Sequence, residues 1–516
     1  MISKYKGHLF LIIAGVITAA TSFLIASTMI LTRESLFPSA LWLTGFTFLF
    51  FNIAYLFLLS ITRPFIKEPI LSEFRIEEFP KTALVYPIRN EDHGLYERMD
   101  YSLSGNRLPN LHLWILSDSD ASYETAELYL VARLQSKYPN KVYYRRRVKP
   151  VERKQGNIKE FLNSHPEYQW LYIADADSMV PRGTVLKLLR KALHPDNRDV
   201  AIFQCFIRIA HATSWYARLE KIGAEFGQKL YFTGLQSLFG RLISFGHHHL
   251  VRADLLASIH LPEGLLSHDN WDTVLLDQQG YRVVFCPDVY GYDEVPSNYL
   301  EARARAGRWA QGTLQGWPLI FKGSISLASR FMAFYGIYLY LGDIVFFFWV
   351  LLGLSAHSTW FGELIHFKID LIWLSLFTNS VLRAVLIFSM AVIFFHKAVI
   401  VRSFDDFRKY FYELTISSLI TLNNFIYVPL SIVTQPFKKL IWRPMKKDPF
   451  EQVGMSQAIK CLWPGTLFGA GLLYFCTHET PYFVWQALPI MGSLLFSIPL
   501  VYFTAKAMPE ALRKWI

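Results

Sequence analysis

The amino-acid sequence predicts an open, Rossmann-like α/β domain inserted between transmembrane α-helices. Three observations predict it. Apolar residues make up 52% of the 516-residue chain and the mean hydropathy is +0.24, both high for an enzyme that lives wholly in water. Apolar runs long enough to cross a bilayer stand near both ends. Between them the pattern turns to short apolar runs that end in polar or acidic residues and alternate with helix-like polar segments.

In chain order, the first element is Leu9–Leu31, preceded by Lys4 and Lys6. No small-residue cleavage site follows, and a second run, Ala40–Ile61, comes soon after. The pair therefore reads as an anchored hairpin, residues 1–63, and not as a cleaved signal. With the two lysines inside, two crossings return the chain to the cytoplasm at Arg63. Residues 64–323 then form a cytoplasmic domain of roughly 260 residues, which a single core supports. Its runs Thr82–Tyr86, His112–Leu116 and Trp170–Ala174 are strand-like, and an open α/β sheet carries its active groups at the strand C-termini.

Residues 324–516 return to the membrane, with candidate spans at Phe331–Leu354, within Asp370–Ile400, at Phe411–Val433, Trp463–Thr477 and Tyr482–Ala505. Lys and Arg concentrate in His396–Lys409 and Lys438–Lys460, which places both in the cytoplasm. Phe411–Val433 lies between them and is too short to cross twice. Either it is an interfacial or re-entrant helix, which its central Asn423–Asn424 suits, or Asp370–Ile400 hides a further crossing. The total is six to eight spans. Asp343 and Arg383 fall within or beside spans, where ionisable groups face a bundle interior and pair, or snorkel to the headgroups.

The net charge of +11 fits cytoplasmic loops that meet anionic membrane lipids. It argues less for nucleic acid, because the basic residues flank apolar stretches and form no separate basic arm. The four cysteines, Cys205, Cys286, Cys461 and Cys476, lack metal-ligand spacing and read as thiols in a reducing compartment.

The strongest chemical signal is Leu171-Tyr172-Ile173-Ala174-Asp175-Ala176-Asp177-Ser178. An apolar strand ends in two carboxylates one residue apart, a pattern that holds a hard divalent cation such as Mg²⁺ or Mn²⁺, and the cation in turn neutralises a diphosphate. By itself Asp-x-Asp is also a common strand-end loop. Other pieces add to it. Val85-Tyr86-Pro87-Ile88-Arg89-Asn90-Glu91-Asp92 closes the first strand with two acids. Leu116-Ser117-Asp118 ends the second, where Asp118 can accept a hydrogen bond from a base or ribose. Tyr143–Arg147 and Arg153-Lys154-Gln155-Gly156-Asn157 bring cations just before the Asp-x-Asp strand, as a solvated surface or as phosphate contacts. Downstream, Ser267-His268-Asp269 supplies a candidate general base for inverting transfer, Asp269, with His268 as rival or neighbour. Arg305-Ala306-Gly307-Arg308-Trp309 combines guanidinium groups that suit a diphosphate with an indole that suits a sugar ring.

In this order the set resembles the processive family 2 glycosyltransferases, among them cellulose and hyaluronan synthases. More narrowly it resembles the glucosyltransferase H family of osmoregulated periplasmic glucan synthesis, through Pro87–Asp92, Leu116–Asp118, Tyr143–Arg147, Arg153–Ile158, Asp175–Ser178, Leu266–Asp269, Tyr292–Asn298 and Arg308–Gly312. The resemblance implies a GT-A fold, UDP-glucose or another UDP-hexose as donor, a divalent cation, and a growing β-glucan as acceptor. It implies a multi-pass protein of the bacterial inner membrane with its catalytic domain cytoplasmic, and a periplasmic glucan-processing partner. Residue by residue, Asp118 would meet the uridine and Asp175 and Asp177 the diphosphate and metal. Glu91, Lys154, Arg305 and Arg308 would join the donor side, Asp269 would be the base, and Trp309 and His268 would meet the acceptor.

Two departures stand out. The Gln of a Gln-x-x-Arg-Trp element is Arg305 here, and a Gly-His-Asn string reads Gly246-His247-His248-His249. Three adjacent histidines invite a metal reading, but alternate side chains of a strand diverge. Competing functions are single-hexose transfer to a lipid, and a transporter or nucleotide-sugar-sensing scaffold with a degenerate transferase domain. The intact acids Asp175, Asp177 and Asp269 argue against the last.

Overall fold

The computed structural model describes residues 5–31, 36–91, 93–355, 380–434, 452–478 and 484–515. Asp92, the start of the Asp370–Ile400 run, residues 438–451 of the basic stretch and Tyr482 lie outside them.

Seven strands form one sheet: β1 (Thr82–Ile88), β2 (Leu111–Ser117), β3 (Val142–Arg146), β4 (Trp170–Ile173), β5 (Val200–Ile209), β6 (His249–Arg252) and β7 (Arg282–Asp293). Their order is β3-β2-β1-β4-β6-β5-β7, and only β6 runs antiparallel to its neighbours. This is the GT-A type of mixed sheet. Both faces are covered, so its strands read as near-continuous apolar runs. The period of two still sorts them: Leu84, Tyr86 and Ile88 of β1 enter one core, and Ala83 and Val85 enter the core on the opposite face. All the parallel strands end on the same side, which gathers Asp118, Asp175 and Asp293 at one rim.

Six helices among the described residues are long and apolar enough to cross a membrane: Lys6–Thr28, Ala40–Phe65, Leu327–Leu352, Arg383–Ile400, Phe404–Thr434 and Met455–His478. Ala487–Leu495 and Ser497–Thr504 form a pair bent by 64°. The Phe411–Val433 run lies within the candidate span Phe404–Thr434. Helix Phe404–Ile420 passes through a 3-10 turn at Thr421–Asn423 into helix Asn424–Thr434, so the irregular turn falls at the asparagine pair. Asn423 Nδ2 donates there to the Ile420 and Ser493 carbonyls and to Ser493 Oγ, while its Oδ1 is buried without a hydrogen-bond partner. The Phe404–Ile420 helix starts on the Ser403 cap, carries Asp405, Arg408 and Lys409, and sends the Tyr412 hydroxyl to the Trp215 carbonyl of the α/β domain at 2.6 Å. Asp343 and Arg383 do not pair: no ion pair joins them among the described residues.

The α/β domain and the bundle share one apolar core. It runs from Phe10 and Tyr55 in the first two helices through Tyr216, Phe285 and Tyr299 to Ile420 and Leu462. Arg63, at the exit of the hairpin, is buried and donates to the Lys229 carbonyl at 2.9 Å. This hydrogen bond ties the exit of the hairpin to the α/β domain.

Candidate functional site

A cavity of about 1080 Å³ opens at the strand C-termini and continues into the membrane bundle. Every site residue singled out in the sequence lines it: Glu91, Asp118, Lys154, Asp175 and Asp177 at one end, His268, Asp269, Arg305, Arg308 and Trp309 further along. Beyond them its wall includes Lys397, Glu413, Ser417 and Thr421 from the apolar helices.

At the β2 end Asp118 is almost fully buried. Arg147 Nε and Nη2 donate to its two oxygens, each at 2.7 Å, and Asn157 Nδ2 donates to Oδ1 at 2.9 Å. Parallel pairing of β2 with β3 brings Arg147, one residue past β3, alongside. The bidentate geometry holds the carboxylate in one orientation. A partner of this kind for Asp118 was not assigned from sequence, although Arg147 stood in the basic string before Asp-x-Asp.

Beyond β4 the chain makes a tight turn in which the Asp175 amide donates to Ser178 Oγ at 3.0 Å and the Ser178 amide to the Asp175 carbonyl at 2.9 Å. Asp175 is ion-paired with Lys154, whose ammonium also donates to the Gly246 carbonyl at 2.8 Å. His247 sits between two acids, with Nε2 at 2.6 Å from Asp293 and Nδ1 at 3.7 Å from Asp175. Burial opposes its charge, but Asp293 and then Asp175 outweigh burial and push its pKa up to about 9. Among the described residues no group of three His, Cys, Asp or Glu is arranged to hold a metal. Two carboxylates at a strand end nevertheless suit a hard cation that takes its remaining ligands from phosphate and water.

The three histidines have three different surroundings. His247 faces the cavity. His248 is buried, and burial lowers its pKa to about 4; it donates from Nε2 to the Tyr292 carbonyl at 3.0 Å and accepts from the Tyr172 hydroxyl at 2.9 Å. Burial also holds the His249 pKa well below its usual value, and its ring lies 3.4 Å from Ser244 Oγ.

Asp269 opens the helix Asp269–Gln278, where the helix dipole favours a carboxylate. Ser267 Oγ donates to it at 3.0 Å. His268 Nδ1 is engaged by Asp272 at 2.6 Å and stands 3.5 Å from Asp269. Burial works against its charge, but Asp272 and Asp269 raise its pKa above the usual value. The imidazole thus lies between two carboxylates, Asp272 and Asp269. Gly246 has φ +77°, and a Cβ there would stand 2.2 Å from Asp269 Oδ1. Only glycine lets this loop pass under the carboxylate.

Arg305, Arg308 and Trp309 lie on the helix Tyr299–Leu314, capped by Asn298, which accepts from the Glu301 amide at 3.1 Å. Spacings of three and four residues put them on one face. Arg305 is ion-paired with Glu220, and its guanidinium lies 4.6 Å from the Trp309 ring centroid. Arg308 has no ion pair or hydrogen bond among the described residues, and burial followed by Arg305 lowers its pKa. Glu220 is a further residue of the site with no signal in its local sequence, and folding alone brings it in; Asp272, one helical turn after His268, and Asp293, within the Tyr292–Asn298 string, were given no role from sequence.

A family model described as "Glycosyl transferase family group 2" matches residues 170–401. Proteins named glucans biosynthesis glucosyltransferase H are similar along much of the chain. The protein from Pseudomonas putida W619 is 25% identical over 475 residues, covering 84% of this chain and 54% of its own length. Those from Pseudomonas fluorescens Pf0-1 and Pseudomonas aeruginosa LESB58 are 26% and 25% identical over 474 residues, with the same coverage. The chain thus spans about half the length of the curated relatives it matches. Among solved structures, a mannosyltransferase from Pyrobaculum calidifontis in complex with GDP-Man and Mn²⁺ aligns with a TM-score of 0.47 and 17% identity, over 70% of this chain and 96% of that one.

Proposed function

We propose that this chain, which carries a family group 2 glycosyltransferase domain on a membrane bundle, is an inverting glucosyltransferase. In this reading it builds a β-glucan backbone from UDP-glucose on the cytoplasmic face of a bacterial inner membrane. The observation that carries it is the single cavity in which the paired acids Asp175 and Asp177, the helix-start acid Asp269 and the Arg308-Trp309 pair all meet.

The acceptor hydroxyl gives its proton to Asp269 as its oxygen bonds to the donor C1, and the bond from C1 to the diphosphate oxygen breaks on the opposite face. Arg308 donates to the departing diphosphate. Asp118, already fixed by Arg147, offers its remaining lone pairs to the base. Asp175 and Asp177 are the residues that would hold a divalent cation, whose charge would offset the diphosphate. Trp309 supports the acceptor ring. The cavity's extension to Lys397, Glu413, Ser417 and Thr421 supports passage of the growing glucan toward the membrane helices, and a periplasmic processing protein would receive it.

The test incubates the protein in lipid with labelled nucleotide hexoses, with and without Mg²⁺ or Mn²⁺, followed by linkage and length analysis. Cation-dependent polymer from UDP-glucose is the expected outcome. A single hexose on a lipid replaces processive synthesis with the non-processive reading. Turnover of no nucleotide sugar overturns both.

A further inference from the structure

The two arginines of the helix Tyr299–Leu314 that face the cavity are in opposite states. Arg305 has its Nη2 edge on the Glu220 carboxylate and its face on the Trp309 indole, with its Nε buried and without a hydrogen-bond partner. Glu220 comes from a different helix, Trp215–Gly227, and is itself oriented: its Oε1 accepts from the Tyr216 hydroxyl at 2.9 Å. Arg308, one turn further on, lines the same cavity and has no ion pair or hydrogen bond among the described residues.

We propose that Glu220 and Arg305 are a positioning pair that fixes the Trp309 indole as the acceptor platform, which leaves Arg308 as the guanidinium that meets the donor diphosphate. The inference deepens the transferase reading and rests on it. For Arg305 to bind phosphate, it would have to leave both its matched carboxylate and its stacked ring. Each loss is unfavourable in a half-buried setting, where a pair that loses one partner strands the other charge. Trp309 by contrast is 54% exposed. One face of its indole rests on the guanidinium and the other is open to a sugar ring, which packs its C–H face on flat aromatic surface. A planar cation behind the indole also removes the rotamer freedom that binding would otherwise have to quench.

The experiment compares full-length protein in lipid nanodiscs carrying Glu220→Gln, Arg305→Gln, Arg305→Lys, the double Glu220→Gln/Arg305→Gln, or Arg308→Gln. It measures UDP affinity by calorimetry, donor KM, and the affinity and KM for a panel of β-linked gluco-oligosaccharides. Glu220→Gln and Arg305→Gln should each weaken the acceptor about fivefold, with UDP affinity within about twofold of wild type. The double variant should be no worse than either single, because both break one unit. Arg305→Lys keeps the charge without the planar stack and should fall between. Arg308→Gln should weaken UDP about tenfold.

Retained UDP affinity shows that a variant is folded, and a purely structural role would not divide acceptor from donor in this way. Arg305→Gln weakening UDP as much as Arg308→Gln, or Glu220→Gln leaving oligosaccharide affinity unchanged, overturns the inference. Wild-type protein that turns over no nucleotide sugar instead sinks the transferase reading, and the oligosaccharide titration still decides the pair.

Discussion

At the proposed nucleotide end Asp118 is 5% exposed with both oxygens held by Arg147 and Asn157, whereas further along the cavity Arg308, proposed to meet the diphosphate, has no ion pair or hydrogen bond among the described residues, and Trp309, proposed to meet the acceptor, is 54% exposed. Arg147 is engaged by a carboxylate within the fold, whereas Arg308 is not. A nucleotide is the same molecule in every cycle, so its recognition can be built in before binding and its geometry locked. An acceptor that lengthens and slides needs flat, exposed contacts that release it. Between the two stands Asp269, anchored by Ser267 and the helix start yet still partly open to solvent.

The comparison breaks most sharply at Arg147. Arg147→Met leaves Asp118 charged and buried without its partner, which should cost about 3–5 kcal/mol of stability. Thermal unfolding in detergent checks it, and adding Asp118→Asn should recover much of the loss. Next comes Asp269→Asn, which should lower kcat about a thousandfold while UDP affinity and unfolding temperature stay near wild type. Single-turnover product formation from bound donor is the measurement, and near-normal synthesis would remove Asp269 from the role of base. Trp309→Ala should raise acceptor KM about tenfold and shorten products, with donor KM little changed; the chain-length distribution reads it directly.

The smallest effect concerns pH. The folded pKa of His268 is raised, so its charge contributes stability that is full below the unfolded value of about 6.5 and is lost as pH rises through the folded value. The gap in unfolding temperature between wild type and Asp272→Asn should therefore narrow as pH rises above about 6.5. A gap that widens would show the ring neutral at the lower pH.

Much of the site was legible because its acids follow apolar runs, and a strand that ends in a carboxylate announces both its register and its rim. Asp118, Asp175 and Asp177 needed only local pattern. Arg305 did not. The string Arg-x-x-Arg-Trp places two guanidinium groups on one helix face but says nothing of which one is neutralised. That depends on Glu220, 85 residues away and on another helix. The histidine run was equally mute: adjacent imidazoles have one sequence context but three environments, set by which acids and hydroxyls β4 and β7 bring beside them. In the membrane region hydropathy found the apolar runs, while the 3-10 turn at Thr421–Asn423 and the contact of Asn423 with Ser493, 70 residues on, came only with the structure.

The sequence by itself determined the α/β domain between apolar helices, the order of strand-end acids and the transferase-like motif set, because these are carried by periodicity and short spacing. Only the tertiary structure decided the pairings: Arg147 with Asp118, Glu220 with Arg305, His247 with Asp293, and Gly246 beneath Asp269. Charges and close contacts of that kind join elements far apart in the chain, and their energies are set by burial and distance, which exist only once the sheet order has brought the elements together.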